Sequence, residues 1–287
     1  MESSSKRAAA ESASHGLPHS PKGPTDPMHR LLLLLLPRAW TDTRLGLARI
    51  PRTDLHIGLA ALLLLLLWDA SGLDRVALHL VGSAQGFAWR DRWLTRALLH
   101  AGGRWLGWAV FGLLVLNVWR PLWPGVPRAQ RLRWLLATLL CMLLIPALKQ
   151  FSSTSCPWSL AEFGGIADYV PHWRLGVADG GPGHCFPSGH ATVAFGFIGG
   201  WFVLRGPHPR AARVWLVAVL IAGLVLGATQ WLRGAHPPSH SLWTAWLCWM
   251  LSSLLLARRV EALGAQGLPS PSPSAAVPAQ GAQGIGS

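Results

Sequence analysis

The sequence predicts an all-α protein, a bundle of about six helices that cross a membrane. Hydrophobic residues make up 51% of the 287 residues and charged residues only 13%, whereas soluble domains contain about 25% charged residues. Apolar stretches recur along the chain, each bounded by charge, glycine or proline. Arginine clusters in alternate loops, as it does in multi-pass membrane proteins.

Six apolar stretches are the candidate membrane helices. They lie at residues 55–68, 104–119, 134–150, 189–205, 213–232 and 241–257. Several are shorter than the roughly 20 residues that span a bilayer, so their ends must reach into the interface. Five tryptophans near these ends are expected to anchor or pack there: Trp68, Trp105, Trp119, Trp134 and Trp201.

The two ends of the chain lack apolar periodicity. Residues 1–29 are rich in Ser, Ala, Pro, His and Gly, and the last 25 or so residues repeat Pro, Ser, Ala, Gln and Gly, which predicts disorder. The run 31–36 ends at Pro37 and is too short to span. We expect a disordered or interfacial cytoplasmic segment at 1–53, a six-helix membrane domain at 54–260 and a disordered tail at 261–287.

The arginines predict the orientation in the membrane. They cluster at 44–52, 120–133, 205–213 and 258–259. Basic residues in short loops tend to stay cytoplasmic, so both termini are expected there. The other loops then face the periplasm of a bacterial-type inner membrane, although the first of them also carries arginines beside aspartates; they lie at 69–103, 151–188 and 233–240.

The net charge of +13 does not indicate a nucleic-acid-binding protein. Its basic residues lie between apolar runs, which leaves little surface for a groove that follows phosphates.

The four cysteines fall into two pairs. Cys141 and Cys248 lie within apolar runs and are expected to be buried thiols. Cys156 and Cys185 lie in one polar loop, where a disulfide would need an oxidising compartment. The sequence leaves that bond open.

Three polar clusters interrupt the apolar pattern, all in loops predicted to face outward. The first, at 149–157, begins with Lys149, one of only three lysines in the chain; a lysine snorkelling from a helix end is the ordinary alternative. The second, at 185–190, contains Ser188, Gly189 and His190. Its Pro-Ser pair would open a helix whose free amides and dipole favour a phosphate, unless it is only a cap.

The third cluster, at 229–241, holds Gln230, Arg233, His236 and His240. Ionisable residues at a membrane boundary are costly, so a function is the default interpretation. Together the clusters supply cations, amides and imidazoles, which suffice to attack a phosphoester without a metal ion. No metal and no cofactor are expected.

In order and spacing, residues 149–157, 187–190 and 229–240 resemble the three motifs K-x6-R-P, P-S-G-H and S-R-x5-H-x3-D of the type-2 phosphatidic acid phosphatase (PAP2) superfamily. The resemblance covers residues 55–257 and implies an integral membrane lipid phosphate or diphosphate phosphatase.

The resemblance also implies roles for individual residues. His236 would attack phosphorus and become a phosphohistidine, while His190 would protonate the leaving oxygen and later activate water. Lys149, Ser188 and Gly189 would hold the phosphoryl oxygens.

Three positions depart from the motifs. Cys156 and Gln230 stand where the pattern has arginine, and His240 stands where it has the aspartate that orients the nucleophile. Arg233 lies about one helical turn after Gln230, and both are candidate phosphate ligands. The group that orients His236 is left open among Asp168, Asp179, Glu162 and His240.

Two other functions are compatible with these residues. A lipid phosphotransferase would pass the phosphoryl group from the same phosphohistidine to a second lipid. A silent PAP2-like membrane protein would keep the fold alone, but the presence of Lys149, His190 and His236 argues against it. The expected partners are the bilayer and a lipid phosphate; the sequence determines neither which lipid nor the oligomeric state.

Overall fold

The computed structural model describes residues 50–174 and 176–256. These residues are mostly helical, and the all-α class predicted from the sequence is confirmed. The helices are α1 (Arg52–Ser71), α2 (Leu73–His79), α3 (Leu94–Trp119), α4 (Arg128–Gln150), α5 (Thr192–Leu204), α6 (Pro209–Leu232) and α7 (Pro238–Leu256). Most of the predicted disordered segments at the two ends, and the arginine pair at 258–259, lie outside the described residues.

Two of these helices are irregular. The first part of α3, Leu94–Gly102, is π-helical, and α5 is helical at Thr192–Phe195 and Gly199–Leu204 with turns between. Short 3-10 turns lie at Pro157–Ser159 and Ala161–Phe163. Strands β1 (Gly82–Ser83) and β2 (Gly86–Phe87) form an antiparallel hairpin in which Gly82 is opposite Phe87.

All six predicted apolar stretches coincide with helices. Within the described residues, α1, α3, α4 and α6 are long and apolar enough to cross a membrane by length and composition. The segment α5 is shorter than 18 residues, and at about 1.5 Å per residue it is shorter than the apolar core of a bilayer. Helix α7 has 19 residues and is not among these candidate spans; it contains Ser, Thr and His side chains that are buried.

Helix α7 lies against α1, α4, α5 and α6. Its tryptophans bond to the backbone of α1: the Trp246 and Trp249 indoles donate to the carbonyls of Gly58 and Asp54 at 2.9 and 3.2 Å. Helix α7 therefore carries polar side chains into the centre of the bundle. Buried polar groups of this kind must be hydrogen-bonded within the protein.

An ion pair joins α1 to the residue that follows α5. Both terminal nitrogens of Arg205 donate to the Asp54 carboxylate, at 2.7 and 2.6 Å, and Asp54 is buried. A buried carboxylate needs a partner of opposite charge, and the two-pronged guanidinium suits it best. Arg205, which the sequence assigns to a cytoplasmic arginine cluster, therefore also holds the bundle together.

A cluster of aromatic rings lies between α4 and α6. Trp134 has no exposed surface and packs against Trp123 and Trp215, with ring centroids 5.5 and 5.1 Å apart. Trp134 therefore packs in the core and does not anchor a helix end. Trp105 and Trp119, by contrast, are 70% and 62% exposed, as interfacial anchors are.

The segments predicted as outward loops form a second apolar core, built from Leu78, Phe87, Leu160, Phe163 and Ala167. The segment 69–103 is more ordered than the sequence predicted: it contains α2, the hairpin and the first ten residues of α3. The turn after α6 packs on this core at Gly234, whose φ is +67° and where a Cβ would lie 2.2 Å from Phe87. Only glycine fits there.

Candidate active site

His236 and His240 lie where α6 gives way to α7. Both are buried, with 4% and 2% of their surface exposed, and their Nδ1 atoms are 3.4 Å apart. The His236 amide donates to the Gln230 carbonyl at 3.3 Å, which folds the end of α6 back beneath the histidine. The third motif is therefore a compact turn.

The start of α7 is fixed by Asp74 of α2. The amide of Ser239 donates to Asp74 Oδ1 at 3.1 Å, and the Ser239 hydroxyl donates to Oδ2. The Trp68 indole also donates to Oδ1, at 2.8 Å. A carboxylate at a helix N-terminus satisfies free amides and suits the dipole, so Asp74 stabilises the helix that carries His240.

Cys156 and Cys185 form a disulfide, with Cα atoms 5.1 Å apart, which resolves the bond that the sequence left open. The Cys185 amide also donates to the Thr154 carbonyl at 2.9 Å. The first and second motifs are thus joined side by side. Cys141 and Cys248 are buried and free, as predicted.

The second motif differs from its prediction in one respect. Helix α5 begins at Thr192, so the Pro-Ser pair does not open it. The Ser188 amide instead donates to the His240 carbonyl at 3.2 Å, while the buried Ser188 hydroxyl has no partner among the described residues. A Cβ at Gly189 would meet nothing within 4 Å. The unbonded hydroxyl of Ser188 therefore lies next to unfilled space at Gly189.

His190 lies between the second motif and α3. Burial, together with the charges of His100, Arg233 and Arg104, lowers its pKa to about 3, although a hydrogen bond to the Leu99 backbone acts in the opposite direction. Its Nε2 is buried and has no hydrogen-bond partner within the described residues. His190 therefore presents a neutral ring with one unused nitrogen.

His100 is a site residue that the sequence analysis missed. Its ring stacks on His190 with centroids 4.2 Å apart, and its Nδ1 lies 3.3 Å from Gln230 Nε2. Arg233 lies beyond, with Nη1 3.4 Å from Gln230 Oε1 and Nε donating to the Arg90 carbonyl at 2.9 Å. No motif marks His100; the available signal was an isolated histidine in an outward loop just before a helix.

Lys149 belongs to the same site. It lies in the last turn of α4, and its charge contributes, after burial and ahead of His190, to lowering the pKa of His236 well below the usual value. No carboxylate in the described ranges forms an ion pair with Lys149. Its ammonium is thus a cation near His236 without a protein counter-ion.

The loop acids proposed to orient His236 have other partners. Asp179 accepts from the Ser155 amide and hydroxyl at 2.5 and 2.8 Å. Asp168 is exposed, whereas His236 is buried, and Asp168 bonds to the Asp179 carbonyl through its main-chain amide and not through its carboxylate. Glu162 pairs with Arg75 and His79. Of the four candidates, His240 is the one that contacts His236.

A second histidine–carboxylate pair lies behind His240. His172 Nε2 is 3.2 Å from Asp69 Oδ2, and both side chains are buried. The His172 ring packs edge-on against His240, with centroids 5.3 Å apart, and Trp243 donates to the same Asp69 oxygen at 2.9 Å. This pair supports the wall of the site without reaching His236.

Cys156, Cys185 and His236 are close enough together to be compared with a metal centre. The two sulfurs are joined to each other, whereas metal ions bind thiolates. This donor set does not fit a metal ion.

An apolar cavity of about 760 Å³ lies beside His190, between α3, α5 and α6. Its lining includes Leu99, which bonds to His190, and Gly103, where a Cβ would lie 3.8 Å from His190 Nε2. The cavity and His190 therefore share a wall.

Comparison with known proteins finds one similarity, to a protein family. No curated protein and no solved structure matches the chain at a significant level. The family model described as PAP2 superfamily matches residues 131–262, a segment that contains Lys149, His190 and His236 and indicates a phosphatase-type function. The match to this segment, which is just under half of the chain, supports membership of the PAP2 superfamily.

Proposed function

We propose that the protein is an integral membrane lipid phosphatase that hydrolyses a lipid phosphate or diphosphate through a phosphohistidine on His236. The observation that carries the proposal is the grouping of Lys149 and His190 around His236, whose pKa both lower, together with an apolar cavity of about 760 Å³ that borders His190. Within the described ranges no carboxylate pairs with Lys149. A phosphate ester with a hydrocarbon chain suits this arrangement, because its phosphate can bind the polar residues and its chain the apolar cavity. Ligand pockets commonly combine apolar walls with a few polar groups.

In the first step His236 attacks phosphorus. Its lowered pKa keeps the imidazole neutral near pH 7, as a nucleophile must be. The ammonium of Lys149 and the free hydroxyl of Ser188 are available to the phosphoryl oxygens, and the space beside Gly189 gives them room. The new N–P bond forms as the P–O bond to the lipid breaks.

His190 handles the proton. In the empty site its pKa is about 3, but the negative charge of a bound phosphate favours the imidazolium and raises the pKa. His190 then donates a proton to the leaving oxygen and takes one from the water that attacks the phosphohistidine. The second step releases phosphate and restores His236.

The proposed reaction needs no metal ion. Magnesium is bound through oxygen ligands, mainly carboxylates and phosphates, whereas this site gathers imidazoles, an ammonium and a guanidinium. We expect turnover to survive EDTA. Activity that is lost with EDTA and restored by a divalent ion would contradict this part of the proposal.

The test of function is phosphate release by the purified, oxidised protein in detergent with EDTA. The substrates are undecaprenyl diphosphate, phosphatidic acid, phosphatidylglycerol phosphate and lipid A phosphate. We expect release from at least one lipid and an acid-labile phosphoenzyme; His236→Ala abolishes both, and the control His184→Asn in an exposed loop keeps both. Release from none of them, or normal turnover by His236→Ala, would contradict the proposal.

Replacing His240 by Ala tests which histidine is the nucleophile. A dead His240→Ala enzyme alongside an active His236→Ala enzyme would show that the roles are exchanged. Adding a lipid alcohol separates hydrolase from transferase: a hydrolase releases inorganic phosphate at an unchanged rate, whereas a transferase phosphorylates the alcohol.

A further inference from the structure

The proposed nucleophile needs a hydrogen-bond acceptor, and the expected carboxylate is missing. For one ring nitrogen of His236 to attack phosphorus, the proton must be held on the other nitrogen by an acceptor. Position 240, which carries aspartate in the family motif, is a histidine here. Asp179 and Glu162 are bonded to other groups. His240 does contact His236, but its Nδ1 lies 3.2 Å from the Cys185 carbonyl, to which it can only donate, so another group in contact with His236 must accept this proton.

Both histidines direct Nδ1 toward Cys185. His240 Nδ1 lies 3.2 Å from the Cys185 carbonyl oxygen, and His236 Nδ1 lies 3.4 Å from Cys185 Sγ. Burial is the main influence on the pKa of His236, and a hydrogen bond to the Cys185 backbone opposes it. A bond that favours the protonated ring is one in which the ring donates and the carbonyl accepts.

One carbonyl oxygen can serve both rings. It has two lone pairs, so the Nδ1–H groups of His236 and His240 can both donate to Cys185. The 3.4 Å between the two Nδ1 atoms is then the separation of two donors that share an acceptor. The arrangement leaves Nε2 of His236 with a free lone pair, as attack on phosphorus requires.

The disulfide fixes this carbonyl in place. Cys185 is fully buried, is bonded to Cys156 and donates its amide to the Thr154 carbonyl at 2.9 Å. A cross-link limits the freedom of the backbone on either side of it. Cys156 stands where the motif has arginine and His240 where it has aspartate. Both of these residues contact Cys185.

We infer that the main-chain carbonyl of Cys185 replaces the motif aspartate in orienting His236, and that the Cys156–Cys185 disulfide is required to hold it there. Cys185 is thus a positioning residue, and the enzyme is active in its oxidised form. The kinetic test of this inference rests on the proposed function, whereas the spectroscopic test does not.

The kinetic test compares the oxidised and reduced protein. A dithiol reductant is itself oxidised to a disulfide while Cys156 and Cys185 each gain a thiol hydrogen. We expect kcat to fall about 10–100-fold, the usual effect of losing a group that orients a functional histidine, with little change in KM. Cys156→Ser should show the same loss without reductant. The double variant Cys141→Ser/Cys248→Ser is the control and should respond to reductant as the wild type does.

The spectroscopic test needs no variant and no substrate. In oxidised protein labelled with ¹⁵N-histidine, His236 and His240 should both show a protonated Nδ1 and an unprotonated Nε2. After reduction, His236 should become a mixture of tautomers, which a merely structural cross-link would not cause.

Each outcome decides a separate question. Full kcat after reduction, or His236 carrying its proton on Nε2 in the oxidised protein, would overturn the inference. If the oxidised protein releases no phosphate from any lipid, the proposed function fails, and the tautomer measurement still decides the role of Cys185.

Discussion

At the scale of residues, the site brings four imidazoles into one small volume. His100 stacks on His190 at 4.2 Å, and His236 approaches His240 to 3.4 Å between Nδ1 atoms. Burial lowers the pKa of both His190 and His236, so Lys149 near His236 and Arg233 near His190 carry positive charge when the site is empty. A bound phosphate anion would raise the pKa of His190, so that His190 takes up a proton.

Replacing His100 by Ala tests whether it supports His190. The change removes the stacked ring and the contact with Gln230, which leaves His190 free to turn. We expect kcat for a lipid phosphate to fall about 10–100-fold, as when other orienting groups are lost. An aryl phosphate, whose leaving group needs no proton, should lose much less. Equal losses with both substrates would instead indicate a role in binding phosphate; His184→Asn is the control.

The lowered pKa values predict that acid destabilises the protein. His190 and His236 have lower pKa values folded than the usual value of about 6.5. The unfolded chain therefore binds more protons below pH 6.5, and stability is lost as the pH falls from there toward the folded values. At pH 5 the loss is about 2 kcal/mol for His190, and His236 adds a loss in the same direction.

Thermal unfolding in detergent at pH 7.5 and pH 5.0 measures this loss. His190→Asn and His236→Asn should each reduce the difference between the two pH values, because asparagine binds no proton. His184→Asn in the exposed loop should leave the difference as in the wild type. An unfolding midpoint that is independent of pH would contradict the assigned direction of the pKa shifts.

At the scale of elements, apolar content was sufficient to predict the helices, but tertiary contacts set their ends. The predicted span at 104–119 starts ten residues too late, because Arg96, His100 and Arg104 interrupt its apolar pattern. Helix α5 starts later than predicted because the Ser188 amide bonds to the His240 carbonyl. Such a long-range bond cannot be predicted from local spacing.

Long-range contacts also limited what the sequence could predict about the site. The sequence motifs identified residues that the structure brings together, including Lys149, Ser188, His190, His236 and His240. They could not identify the Cys185 carbonyl, because a backbone atom leaves no mark in a pattern of residue types. His100 was missed because it comes from a helix outside the motifs and meets His190 only through the packing of α3 against α5 and α6.

Filling the cavity between α3, α5 and α6 tests whether it receives the lipid chain. Ala222 lines the cavity, so Ala222→Trp should occupy it and raise KM for long-chain lipid phosphates. Hydrolysis of a short, soluble aryl phosphate should be unchanged, because the histidines are untouched. Leu224→Trp is the matched control, since Leu224 is 59% exposed on the same helix and does not line the cavity. Equal KM values for Ala222→Trp and wild type would contradict this use of the cavity.

At the scale of the whole molecule, the arginine-rich end and the proposed active site lie at opposite ends of α7. The first residues of α7 bond to Asp74, while Trp249 near its other end bonds to the Asp54 carbonyl. Asp54 in turn pairs with Arg205. Helices α1 and α7 are therefore antiparallel, and the Asp54–Arg205 pair marks the end away from His236. This separation agrees with the sidedness that the arginine distribution predicts.

The orientation itself is a prediction that reporters can check. Arginine-rich loops are retained on the cytoplasmic side during insertion, so the end with Arg205 should be cytoplasmic and the histidine end should face outward. Reporters fused near residue 170 and at the C-terminus should therefore give opposite signals. A finding of both on one side would contradict the arrangement, and a cytoplasmic position for residue 170 would also remove the oxidising compartment that the Cys156–Cys185 disulfide needs.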